Sequence, residues 1–334
     1  MEVPWSEKYR PSELDQIIGH ADIRKTISKF LSLDKLPHLL FYGPAGTGKT
    51  TTILSIARQL YKPQEFKAMV LELNASDDRG IGVVRDQILS FAGTRCLFSN
   101  KFKLVILDEA DSMTKDAQNA LRRIIEKYSE TTRFCLICNY LSKITPAIQS
   151  RCTRFRFAPL PLKSVEPRIN EIATKEDVTL GEKAVQALFK FANGDMRKAL
   201  NLLQSCSLSS PQVTVDSVYA CVGYPSPEQM RQVLTICLND DLAIAVEKLR
   251  NLQVEKGVSL QDMITELTTL VMKGRSCFNK FECLADLPEP VQGTIITDMA
   301  EIEASLALGA TEKLQLGSLV ATFTLARDSL KTYA

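Results

Sequence analysis

Residues 43–50 read Gly43-Pro44-Ala45-Gly46-Thr47-Gly48-Lys49-Thr50, the spacing G-x-x-x-x-G-K-T. The glycines let backbone N–H groups close around phosphate oxygens, and a lysine at this spacing reaches the β- and γ-phosphates. The Thr50 hydroxyl is offered to Mg²⁺. Such a loop works only between a strand and a helix, whose N-terminus adds the positive end of its dipole. The apolar run Leu39-Leu40-Phe41-Tyr42 precedes it, and a helical pattern from Thr51 to Leu60 follows. The pattern predicts a nucleoside-triphosphate site, with Thr51 as the next residue beside the phosphates.

A second apolar run, Leu104-Val105-Ile106-Leu107, ends in Asp108-Glu109-Ala110-Asp111. Carboxylates at the end of a strand beside a phosphate loop suit two tasks. Asp108 is placed to hold the Mg²⁺ shell, and Glu109 to polarise an attacking water as general base. The run Phe134-Cys135-Leu136-Ile137-Cys138 closes on Asn139, an amide where the γ-phosphate or the lytic water could be sensed. Ser150-Arg151-Cys152 puts an arginine on a turn before a further apolar run. Taken singly, that asparagine reads as a turn residue and that arginine as a solvated charge.

These residues need a sheet to hold them. Five short apolar runs, His38–Tyr42, Met69–Leu73, Leu104–Leu107, Arg133–Cys138 and Thr153–Phe157, alternate with helical patterns, which predicts helices layered on a largely parallel sheet. Pro159 and Pro161 break the alternation, because paired prolines exclude both helix and central strand. Beyond them the chain reads as helical, with Asn193-Gly194-Asp195 ending one helix and capping the next. Gly223-Tyr224-Pro225-Ser226-Pro227 marks a second break. The last segment carries the stripe Leu260, Met263, Ile264, Leu267, Leu270 and Val271, which suits either an ordinary bundle core or an oligomerisation surface. The expected domains are residues 1–160, 161–225 and 226–334.

The 334 residues are long for one domain, and 41 Lys plus Arg against 39 Asp plus Glu leave a net charge of +2. Any nucleic-acid surface is therefore a local patch rather than a global bias. The first ten residues lack the apolar core of a signal peptide, and no run approaches the ~18 residues of a membrane span. Nine scattered cysteines are expected to be reduced thiols in the cytosol or nucleus. Cys135 and Cys138 are three apart on a strand, so they point to opposite faces and cannot share a metal.

As a set, the phosphate loop, Asp108-Glu109-Ala110-Asp111, Asn139, Ser150-Arg151-Cys152 and Gly194-Asp195-Met196-Arg197 resemble the AAA+ ATPases of the clamp-loader clade. Pro4-Trp5-Ser6-Glu7-Lys8-Tyr9-Arg10-Pro11 and Leu73-Asn74-Ala75-Ser76-Asp77-Asp78-Arg79-Gly80 narrow the resemblance to replication factor C small subunits. It is strong over residues 1–225 and rests on helical character beyond. Ala45 stands where many relatives have proline, and Ser6 where an apolar residue is common; neither change removes a donor. The resemblance implies an AAA+ domain with a five-stranded parallel sheet and helices on both faces, a small helical lid, and an all-α C-terminal collar. It implies that Arg10, with the neighbouring Tyr9 and Pro11, lines the adenine pocket together with Ile18, that Asn139 is sensor one, and that Arg197 reaches the γ-phosphate from the lid as sensor two. Arg151 becomes an arginine finger acting in trans on a neighbouring subunit's ATP.

Two helical segments carry the candidate DNA surface. After Asn74–Asp78 come Arg79 and Arg85, on a segment whose apolar face is Ile81, Val84, Ile88 and Phe91. The pattern over Thr114–Tyr128 buries Ala117, Ala120, Leu121, Ile124, Ile125 and Tyr128 and sends Lys115, Gln118, Arg122 and Arg123 to solvent. Spacing alone makes these solvated faces; the resemblance makes Arg79, Arg85 and Lys115 contacts to primer–template phosphates, without sequence preference. The expected function is that of an ATPase subunit in a nuclear heteropentamer with other replication factor C subunits. Its cofactors are ATP and Mg²⁺, and the complex opens the sliding clamp PCNA and loads it onto DNA. The rival readings are a branch-migration type of AAA+ motor and an ATP-binding scaffold with little hydrolysis of its own.

Overall fold

The computed structural model describes residues 3–76, 81–94, 101–273 and 288–333. Its contacts divide the chain into two compact units, Met1–Thr214 and Val215–Ala334.

Five parallel strands form the first unit's sheet: β1 (Leu39–Tyr42), β2 (Val70–Asn74), β3 (Lys103–Asp108), β4 (Thr132–Cys138) and β5 (Thr153–Arg156). Their order is β2-β3-β4-β1-β5, so the three inner strands, β3, β4 and β1, each lead into a chemistry-bearing turn. Leu39 pairs with Cys135 and Thr153, and Asn74 with Asp108. Alternation sends successive side chains to opposite faces. Leu39, Phe41, Leu104, Ile106, Cys135 and Ile137 pack on one side, beside Ile27 of α2 (Ala21–Ser32) and Ile53 and Ile56 of α3 (Lys49–Leu60). Leu40, Val105, Leu107, Phe134, Leu136 and Cys138 pack on the other. There they meet Ile88 of α5 (Ile81–Gly93), Leu121 and Ile124 of α6 (Lys115–Lys127) and Ile148 of α7 (Pro146–Gln149). Cys135 and Cys138 thus fall on opposite faces, and burial pushes the Cys138 thiol up to about 12. Neither cysteine is available as a thiolate.

Short α1 (Trp5–Lys8) opens the chain and α4 (Pro63–Met69) leads into β2. After the sheet, Pro161 caps α8 (Leu162–Lys175), followed by α9 (Ala184–Ala192) and α10 (Met196–Ser209). Asn193 ends α9 in the left-handed region at φ 51°, and the Asp195 side chain caps α10 by accepting from the Lys198 N–H at 3.0 Å. The helical expectation for this stretch needs one correction. Two-residue strands, β6 (Thr179–Leu180) and β7 (Gln212–Val213), pair in parallel and tie its ends together.

The second unit is helical: α11 (Val215–Val222), α12 (Pro227–Asn239), α13 (Leu242–Lys256), α14 (Leu260–Lys273), α15 (Glu289–Ala307) and α16 (Glu312–Tyr333). Ser226 and Gln229 form a reciprocal capping box at the start of α12. Arg327 donates to the carbonyls of Leu238 and Asp240, satisfying that helix's C-terminal end. Leu260, Met263, Ile264, Leu267 and Val271 are buried against Met299 and Phe323 of this same unit. That stripe is core. The exposed apolar side chains lie elsewhere: Leu308, Val254 and Leu314 are 90%, 80% and 72% exposed.

Candidate functional site

The phosphate loop leaves the carboxyl end of β1 and turns into α3, whose first residue is Lys49. Gly43, Gly46 and Gly48 all take positive φ, a region an L-residue enters at a cost of about 1–2 kcal/mol. At Gly43 a Cβ would also stand 2.0 Å from the Phe157 carbonyl oxygen. Lys49 is 7% exposed, and its ammonium donates to the carbonyls of Gly43 and Pro44 at 2.6 and 2.7 Å. It also donates to Asn139 Oδ1 at 3.0 Å, joining the loop to the end of β4. Burial lowers the Lys49 pKa, opposed by the nearby charge of Asp108, Asp111 and Asp195.

The carboxylates sit at the end of β3. Asp108 Oδ2 accepts from the Thr50 hydroxyl at 2.7 Å, and Oδ1 accepts from the Glu109 N–H at 2.9 Å. Glu109 turns into the left-handed region at φ 53°. A non-glycine residue held there is costly and is characteristic of functional sites. Asp111 Oδ2 accepts from the N–H groups of Asn139 and Tyr140, both at 3.3 Å, and so fixes the loop that presents Asn139. Thr50 and Asp108 offer adjacent hard oxygen donors. Among the described residues there is no cluster of three or more His, Cys, Asp or Glu able to hold a metal. That donor set suits Mg²⁺, which takes one or two protein oxygens and completes its shell with phosphate and water.

A single cavity draws most of these groups together. Arg10, Ile18, Ala45, Gly46, Thr47, Gly48, Lys49, Thr50, Thr51, Asp108, Glu109, Asn139 and Arg197 all line it. Gly43 and Pro44 do not; they hold the lysine from behind. The lid closes on the phosphate loop directly. The Met196 N–H donates to the Gly46 carbonyl at 3.1 Å, and a Cβ on Gly46 would lie 1.6 Å from Asp195 Oδ1.

Arg151 is elsewhere. Its Nε and Nη2 bond Glu126 Oε1 on α6 at 2.8 and 2.5 Å, and Nη1 donates to the Ala147 carbonyl. Lys115 is exposed at the start of α6. Arg79 lies outside the described residues, and Arg85 belongs to α5 with its side chain outside them. Gln118 requires a correction. It is 1% exposed rather than solvated, donating to the carbonyls of Met113 and Lys143 and accepting from the Thr145 N–H.

Arg168 is a cavity residue that sequence reasoning missed. Its Nη2 donates to the Tyr9 carbonyl at 3.0 Å, from a helix where a lone arginine reads as a solvated charge. Only that contact across 159 residues reveals it.

Three family models match the chain. Residues 39–160 match the ATPase family associated with various cellular activities, AAA. Residues 162–220 match the RFC1-like AAA+ ATPase lid domain, and 225–322 the replication factor C C-terminal domain. Replication factor C subunit 5 of Mus musculus is 52% identical over 98% of this chain and 93% of its own length. Replication factor C subunit 3 of Schizosaccharomyces pombe is 46% identical over 98% and 92%. Among solved structures, Thermotoga maritima RuvB, described as a Holliday junction branch migration motor, superposes with a TM-score of 0.51. It is 20% identical and covers 72% of this chain and 85% of its own, a likeness of fold alone.

Proposed function

Because the chain belongs to the replication factor C family, among the small subunits numbered five in animals and three in yeasts, we propose that it hydrolyses ATP as one subunit of a nuclear heteropentamer that opens the sliding clamp PCNA and loads it onto primer–template DNA. The observation that carries this is the convergence at the carboxyl ends of β1, β3 and β4: Lys49 bonds Asn139 and Thr50 bonds Asp108.

Each residue then has a task. Lys49 exchanges the carbonyls of Gly43 and Pro44 for phosphate oxygens, which frees Asn139 to orient toward the γ-phosphate. Glu109 accepts a proton from the attacking water, and Arg197 approaches the same phosphate from the lid. Mg²⁺, held through Thr50 and Asp108, supplies charge neutralisation for the leaving phosphates. Arg151 serves the neighbouring subunit's ATP, consistent with its place outside this chain's cavity. Arg79, Arg85 and Lys115 are assigned to contacts with DNA phosphates, without sequence preference. The domains are 1–160 for nucleotide, 161–225 for the lid and 226–334 for the collar, where exposed Leu308, Val254 and Leu314 offer apolar surface to neighbouring subunits.

The division of labour is tested by nucleotide titration of the full chain. Lys49→Ala is expected to weaken ATP binding, because a buried cation facing phosphate is lost. Glu109→Gln is expected to bind ATP like the parent and, in the assembled complex, to stall hydrolysis with the clamp engaged. Equal loss of ATP affinity in the two variants would show that Glu109 binds nucleotide rather than activating water.

A further inference from the structure

Part of the cavity wall is built from residues near the start of the sequence, Ser6, Glu7, Tyr9, Arg10 and Pro11. Their polar fastenings run to the lid. The Trp5 N–H donates to Gln204 Oε1 of α10 at 3.0 Å. Lys8 Nζ and the Tyr9 hydroxyl both bond Glu176 Oε1, just past α8, at 2.6 and 2.5 Å. The Tyr9 carbonyl accepts from Arg168 Nη2, while Arg168 Nη1 bonds Glu171 Oε2 at 2.7 Å. Tyr9, Arg10 and Pro11 line the cavity, and so does Arg168, whose side chain is only 18% exposed.

The base would then be held by the N-terminal segment and the lid, and the triphosphate mainly by the sheet's loop. The triphosphate end is chiefly the sheet's loop, joined by the lid at Gly46 and at Arg197. The wall carrying Tyr9, Arg10 and Pro11 is a strap whose bonds lead into α8, α10 and the turn after α8. In that strap the Tyr9–Arg10 peptide is held on both sides: its N–H donates to the Glu7 carbonyl at 3.2 Å, and Arg168 supplies the bond to its carbonyl. A peptide group facing a bound base discriminates only if it is immobile, and a guanidinium with two simultaneous partners immobilises it in a way one hydrogen bond does not.

We propose that Arg168, bridging the Tyr9 carbonyl and Glu171 at the cavity wall, is the positioning residue of the base end: it fixes the Tyr9–Pro11 backbone against which an adenine nucleotide's base packs. This rests on the base lying between Arg10 and Ile18, away from Lys49. Arg168 touches the wall and acts on the base through it.

The test compares ATP with inorganic triphosphate, both as magnesium complexes, by calorimetric titration of the full chain. Triphosphate occupies the phosphate loop and makes no demand on the base end. Arg168→Ala is expected to weaken ATP about tenfold, the size of one charge-assisted hydrogen bond, and to leave triphosphate within about twofold. Arg168→Lys, which keeps one donor for the Tyr9 carbonyl, is expected to fall between parent and alanine, and guards against an alanine variant that fails to fold. ATP affinity unchanged in Arg168→Ala, or ATP and triphosphate weakened equally, overturns the proposal. Ile18→Ala separates the two levels. If it lowers the ratio of ATP to triphosphate affinity and Arg168→Ala does not, the role of Arg168 alone is wrong. If neither substitution changes that ratio, the base does not lie against this wall at all.

Discussion

Gly46→Ala is expected to undo the docking of the lid on the phosphate loop. Gly46 takes φ +66°, so an alanine there costs about 1–2 kcal/mol in backbone strain alone. Its Cβ would lie 1.6 Å from Asp195 Oδ1 and 2.2 Å from Asp195 Cγ, so the carboxylate must leave. That oxygen is the N-cap acceptor of α10, and losing a cap costs about 1 kcal/mol. The adjoining Met196 N–H to Gly46 carbonyl bond, 3.1 Å long, contributes about 0.5–1.5 kcal/mol more if the helix end withdraws. The sum is about 3–4 kcal/mol, most of it routed through Asp195. Asp195→Ala removes both of these atoms and Oδ2, 2.8 Å away, at the expense of the cap, so in that background Gly46→Ala should cost only the backbone strain, about 1–2 kcal/mol. The chain's one tryptophan, Trp5, is buried, and its backbone N–H is bonded to Gln204 of α10, so its fluorescence in a urea titration follows this region. Additive costs in the double-mutant cycle, within about 0.5 kcal/mol, would refute the contact between Gly46 and Asp195 as the link between loop and lid.

Acidification should destabilise the first unit through His38. Its Nδ1 accepts from the Phe134 N–H at 3.2 Å, and burial, aided by the charge of Arg133, lowers its pKa to about 4. The unfolded chain takes up that proton near pH 6.5, so stability is complete above about 6.5 and falls as pH drops toward 4. His38→Asn should flatten that part of the pH–stability curve, and a parent curve already flat between pH 6.5 and 4 would contradict the assignment. In the assembled complex, Arg79→Ala with Arg85→Ala should lower DNA-stimulated ATPase and leave basal ATPase near parent. It should also reduce the log–log salt slope of DNA binding by about 1.8, at ~0.9 per lost phosphate contact. Identical slopes would make these arginines ordinary solvated charges.

What could be read from the sequence was whatever is local. The phosphate loop, Asp108-Glu109 and Asn139 each sit where a strand gives way to a turn, so an apolar run and its terminal residues locate them. Parallel pairing at the carboxyl ends of β1, β3 and β4 then brings them together. The strap was not legible, because Tyr9 meets Arg168 and Lys8 meets Glu176 across 159 and 168 residues. Gln118 carried a signal that was passed over. It stands at i, i+3, i+7 spacing with Leu121 and Ile125, so a polar residue on that stripe had to be buried with its hydrogen bonds satisfied. The stripe from Leu260 to Val271 had the reverse fate: its periodicity was plain, and its partners lie within its own bundle. The strands β6 and β7 are two residues each, too short to carry any period.

Arg151 decides whether hydrolysis occurs at sites shared between neighbouring subunits. In this chain its guanidinium is bonded to Glu126 and does not line the cavity. A trans arginine in phosphoryl transfer contributes on the order of 10³–10⁵ in rate. The measurement is single-turnover ATP hydrolysis in two reconstituted heteropentamers, each with one competent site, either this chain's or the adjacent subunit's, with Arg151 present or replaced by alanine. Arg151→Ala is expected to leave hydrolysis at this chain's own site near parent and to abolish it at the neighbour's. Loss at this chain's own site with the neighbour spared would contradict the trans role.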